Sequence, residues 1–129
     1  MPWADIVETD GYGHIAWYSK DVMPWKYGHV ECIALATDHA INQKFDATFE
    51  VMKYIQQAGQ DIEQARNTGG ESLDAIVKII RKHIPLHTKT AIIASLNPEL
   101  KVINYQHLNI DKAGLKQIMD LAVEGKVIK

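Results

Sequence analysis

The chain has 129 residues, a formal net charge of −2, and 47% hydrophobic and 23% charged residues. That mix suits one folded domain with one core and excludes a disordered chain. Its 14 Lys and Arg residues are scattered among 16 Asp and Glu, so the sequence carries no basic stripe for nucleic acid.

A single cysteine, Cys32, excludes an internal disulfide and a Cys-rich zinc site. No apolar run approaches the roughly 18 residues that span a bilayer. The start, Met1-Pro2-Trp3, shows no basic-then-apolar leader, which fits a cytosolic protein, a processed one or a piece of a longer chain.

Residues 1–11 read as a short helix or lead-in, punctuated by Asp10-Gly11. Gly13–Tyr18 reads as a first strand, and Ser19-Lys20-Asp21 as a polar break after it. A Pro-containing aromatic loop follows. Gly28 then turns the chain into a second strand, His29–Ala36, whose apolar, β-branched composition suits a strand covered on both faces. On this reading Cys32 is a buried small hydrophobe rather than a nucleophile.

Helices dominate the rest. Asp38 is placed to cap a short helix through Ala40 and Ile41. Phe45, Phe49, Met52, Ile55, Ile62 and Ala65 recur by threes and fours, which predicts a long amphipathic helix from about Asp46 to Arg66, weakened at Gly59. Leu73, Ile76, Val77 and Ile80 predict the next helix, Glu71–His83, with a capping box in letter at Thr68–Glu71 and Pro85 after its end. A shorter helix spans Thr88–Leu96. Lys101–Tyr105 alternates as a short strand or extended segment. The last helix runs from about Asp111 to Glu124, with Asp111 as its cap and Gly125 as the residue just past its end. Two or three strands do not close an α/β domain, and the covered strand lacks sheet neighbours.

The densest set of aromatic and hydrogen-bonding groups is the loop holding Asp21, Trp25, Lys26, Tyr27 and His29. Any small-ligand site belongs there, because such sites combine apolar walls with a few placed polar groups; core packing by the same aromatics is the competing reading. His29 opens the apolar strand and could donate to an anion. His83 and His87 have a metal-compatible spacing, but Pro85 between them spoils the helix and no third ligand is near. No Ser-His-Asp pattern, phosphate loop or paired-carboxylate motif appears, so the chain reads as a binding module and not an enzyme, with no cofactor.

The run Gly13-x-Ile15-x-x-Tyr18-Ser19-x-Asp21-Val22-x-Pro24, then Gly28-His29-x-x-Cys32-Ile33-x-Leu35, resembles the C-terminal half of ABC-transporter substrate-binding proteins of the nitrate/sulfonate/taurine/bicarbonate type, which share a scaffold with thiamine-precursor-binding relatives. Tyr54–Gly59 is similar to that family's long helix, and Ile110–Val123 to its last one. The resemblance implies an α/β, partial type II periplasmic-binding-protein-like fold, with few strands and a helix-rich C-terminal part forming one domain over residues 1–129. It implies a small anion or small polar organic ligand, with His29 where anion-binding members present a cleft histidine; Trp25, Tyr27 and Asp21 of the same loop would line the site with it. Trp3 falls where the family carries Glu-Pro-Phe, and only its aromatic ring is similar. Partners would be the transporter's membrane subunits, and the location periplasmic or cell-surface. The Pro after the family's histidine is Val30 here, and the cysteine-rich motif of the thiamine-precursor enzymes is absent. An N-terminal lobe would also be missing, so the chain would have to self-associate or meet that lobe. The alternative is a stand-alone interaction or regulatory domain that self-associates and takes no small ligand.

Overall fold

The computed structural model describes residues 2–22, 30, 32–100, 103–106 and 108–129. In chain order its helices are α1 (Pro2–Thr9), α2 (Ser19–Val22), α3 (Asp38–Gln43), α4 (Phe45–Thr68), α5 (Gly70–His83), α6 (Lys89–Ser95) and α7 (Lys112–Glu124). Among the described residues there is no strand and no sheet, which overturns the α/β expectation.

The two expected strands fail for one physical reason. A strand exists only when its backbone groups find a ladder partner. In 13–18 two backbone donors go to nearby side chains instead, and Gly13 N goes to the Val7 carbonyl at the end of α1. Ile15 N donates to Glu8 Oε1 at 3.1 Å, and Tyr18 N to Asp21 Oδ2 at 3.3 Å. In the second segment the described residues 30 and 32–36 have no regular structure. Leu35 is 85% exposed and Ile33 is also open, so the stretch read as interior is not covered there. Cys32 is likewise exposed rather than a buried thiol. Residues 103–106, where the extended segment was expected to end, form no strand. Its start, 101–102, lies outside the described residues.

The helical expectations fare better. α4 takes up the stripe over Phe45–Thr68, and α5 and α6 fall within a residue or two of their expected bounds. Caps fix the ends. Thr88 Oγ1 accepts from Ala91 N at 3.1 Å at the start of α6, and Thr37 Oγ1 accepts from Ala40 N at 3.1 Å at the start of α3. The α3 cap is therefore Thr37, one residue before the expected Asp38. The capping box at Thr68–Glu71 does not form. Gly69 and Gly70, both at positive φ, turn the chain so that α5 folds back on α4, and no side chain caps α5.

Packing is uneven. α3 and α5 pack on α4, α6 packs on α5, and α1 packs on α6. The core is Val77, Ile92 and Leu96, with Ile62, Leu73, Ile76, Ile80, Ile93 and Tyr105 packed against it. It therefore takes the C-terminal part of α4 and leaves the N-terminal part outside. α7 packs on no other helix among the described residues. Its buried Gly114 instead lies against Val30, where a Cβ would come within 3.1 Å of Val30 Cγ2.

Candidate interaction surface

The apolar side chains of the first half of α4 are placed by helical spacing alone. Phe45, Phe49, Met52 and Ile55 sit four, three and three residues apart, which gathers them on one side of the helix. Such a stripe is normally a core face. Here Phe45 is 59% exposed and Phe49 61%, and Met52 and Ile55 are also open. The Phe45 and Phe49 rings stack on each other, 6.0 Å apart at 14°, and both remain largely open. Residues 45–58 run for about 21 Å at the α-helical rise.

One short helix flanks this stretch. α3 is held beside it by Thr48 Oγ1, which donates to Ala40 O at 3.1 Å, and it adds Ile41 to the exposed apolar set. The covered part of α4 begins at Gly59, buried beneath Leu108 and Tyr105. Apolar surface is also exposed on α7 and just past it, at Met119, Leu121, Val123 and Val127. The stripe is legible in the spacing but its exposure is not, because periodicity reports that a face is apolar, not what lies against it.

Of the ligand-site residues singled out in the sequence, only Trp3 and Asp21 are described, and they lie on separate helices. Trp25, Tyr27 and His29 lie outside the described residues. Asp21 is in α2, where its carboxylate accepts from Tyr18 N. Trp3 is on α1, its ring edge-on to the ring of His87, 5.0 Å away at 67°. No packing joins α1 to α2 among the described residues.

Two groups of buried polar residues escaped the sequence reading. At the α1–α6 seam, Asp5 is 2% exposed and His87 is also buried; among the described residues Asp5 Oδ2 and His87 Nδ1 have no hydrogen-bond partner. Burial raises the Asp5 carboxyl above the ordinary carboxylate range. Beneath the 97–106 segment, Arg66 donates to Glu63 Oε1 at 3.1 Å and to the Ile103 and Asn97 carbonyls, while Tyr105 N donates to the same Glu63 oxygen at 2.7 Å. Burial, with Glu63 nearby, also pushes the Tyr105 phenol up.

Two concavities lined by described residues do not resemble ligand pockets. The hollow around Glu63, Arg66, Asn67 and Asn104 has a volume of about 60 Å³, room for waters rather than an organic molecule. The groove between α5 and α6, about 290 Å³, is open and walled by Lys78, Arg81 and the Lys89–Asp74 ion pair at 2.6 Å. No group of three His, Cys, Asp or Glu among the described residues could hold a metal ion. No helix of the described residues is long and apolar enough to cross a membrane.

Comparison with protein-family models, curated proteins and solved structures found no match.

Proposed function

We propose that this chain is a self-associating interaction module that works through the α3–α4 apolar face and takes no small ligand there. The observation that carries this is the α4 stripe itself: Phe45, Phe49, Met52 and Ile55 lie along one side of one helix and all four are open. The exposed stretch of α4 concentrates two phenylalanines, a methionine and an isoleucine, the side-chain types that fill the centres of protein interfaces. Isolated apolar residues on a surface need no explanation, but a contiguous apolar face does. The substrate-binding reading called for two lobes built on sheets, and the described residues contain no sheet to build them.

The test is solution mass. Light scattering behind gel filtration, across low to high micromolar chain, is expected to give a dimer or larger assembly. Phe45→Ser with Phe49→Ser is expected to give a monomer of unchanged helicity. A wild-type monomer at high micromolar concentration would end the proposal.

A further inference from the structure

We infer that the occupant of the α4 face is a second copy of the same helix running antiparallel, with Asp46 of each copy beside Lys53 of the other. The inference rests on the self-association proposed above and adds its orientation and register.

Phe45, Phe49 and Met52 follow the four-three pattern of a helix–helix seam, continued by Gln56 at the next place. Asp46 and Lys53, seven residues apart, lie on one flank of that seam; Thr48 and Ile55, also seven apart, lie on the other. When two such helices run antiparallel, each flank meets the same flank of its partner. Setting Phe49 level with the partner's Met52 brings Phe45 level with the partner's Gln56. The same register sets Asp46 beside the partner's Lys53, twice by symmetry, and Thr48 beside the partner's Ile55. One register thus stacks Phe49 on the partner's Met52 and closes the charged flank, each twice by symmetry, as an isologous two-fold interface requires. A parallel pair would set opposite flanks together, Thr48 beside Lys53, and would form no pair of opposite charges.

The exposures agree with this arrangement. Asp46 and Lys53 are both exposed, and among the described residues neither has an ion-pair partner in its own chain. α3 is tied to the Thr48 flank and leaves the charged flank open.

The full chain, carrying Cys32→Ser, tests this by sedimentation and by disulfide mapping. Asp46→Lys is expected to weaken the dimer about tenfold, since two attractions become two repulsions. Asp46→Lys with Lys53→Asp is expected to restore it. Phe45→Cys and Gln56→Cys chains, purified apart and mixed, should cross-link 45 to 56. Phe45→Cys alone should not cross-link to itself, because the two positions would lie about 16 Å apart along the axis. Cross-links of 45 to 45 would overturn the antiparallel arrangement and leave self-association standing. A dimer indifferent to all these changes would do the same, placing the contact on another face. A monomer at every concentration would overturn both readings. Helicity by circular dichroism separates loss of pairing from loss of folding.

Discussion

Arg66 reaches back one turn along α4 to Glu63, 3.1 Å away, and the two side chains are only 4% and 12% exposed. This is the one buried ion pair among the described residues, and it carries a load beyond its own attraction. Through it the last third of α4 holds the backbone of the 97–105 segment, by the Asn97 and Ile103 carbonyls and the Tyr105 amide. Removing one partner leaves a buried charge uncompensated, which costs about 3–5 kcal/mol. Arg66→Met is expected to destabilise the fold by that order. Glu63→Leu with Arg66→Met should cost less than the single change, because no charge is stranded. Urea unfolding at one fixed chain concentration checks both, since self-association would otherwise shift the midpoint.

The same region makes Gly59 a packing position. A Cβ there would lie 2.5 Å from Leu108 Cδ1 and 3.3 Å from Tyr105 Cβ. The first is the end of a flexible side chain and can move aside. Gly59→Ala therefore trades a displaced Leu108 against about 1 kcal/mol of helix propensity and should change stability little. Gly59→Leu cannot be absorbed in this way. It is expected to cost about 1–3 kcal/mol, with faster amide exchange at Tyr105 as its local sign.

Gly59 also marks how much was legible in the sequence. Its cost to helix propensity is plain from its letter, whereas the reason for it, Leu108 lying across it from 49 residues away, is not. The helices from α3 to α7 follow from apolar spacing and from the stop signals at Gly69-Gly70, Pro85 and Pro98, all local chemistry. The strands were misread because Val30, Ile33 and Leu35 have strand composition, and composition does not supply a ladder partner. The ligand-site expectation rests on the density of aromatic and hydrogen-bonding groups between Asp21 and His29, most of which the structure does not describe. Trp25, Tyr27 and His29 lie outside the described residues, while Trp3 and Asp21 sit on helices that do not touch. The buried Asp5, Arg66 and His87 were invisible for a further reason: a charged or titratable residue in an ordinary helical pattern reads as solvated.

Past the end of α7 the chain closes with Lys126 N donating to Val123 O at 3.0 Å and Val127 N to Ala122 O at 2.8 Å. These are the two bonds of a Schellman motif, and the residue that must turn left-handed is Lys126, at φ 57°. Gly125, the residue expected there from the sequence, sits one position early at φ −73°. A left-handed conformation costs a side-chain-bearing residue roughly 1–2 kcal/mol. Lys126→Gly relieves this at some cost in unfolded-chain entropy and is expected to stabilise the C-terminal turn by about 0.5–1 kcal/mol. Amide-exchange protection at Val127 is the local measurement; no gain there would refute the assignment.

Asp5 gives the fold a pH dependence whose sign can be worked out. Burial, with the neighbouring Glu8 charge acting the same way, raises its folded-state pKa above the ordinary value of 3.8. The folded chain therefore holds this proton more tightly than the unfolded chain. The stability this confers is fully present below about pH 3.8 and is lost as pH rises through the folded value, where a buried carboxylate must ionise inside the α1–α6 seam. Asp5→Asn keeps the shape and removes the ionisation. Urea midpoints of wild type and Asp5→Asn should converge at acid pH and separate as pH rises towards neutrality, with Asp5→Asn the more stable. The difference should be concentrated in amides of α1, because α6 is the helix on which α1 packs. Midpoints that differ by a constant amount at every pH would show that the carboxyl does not titrate in the seam.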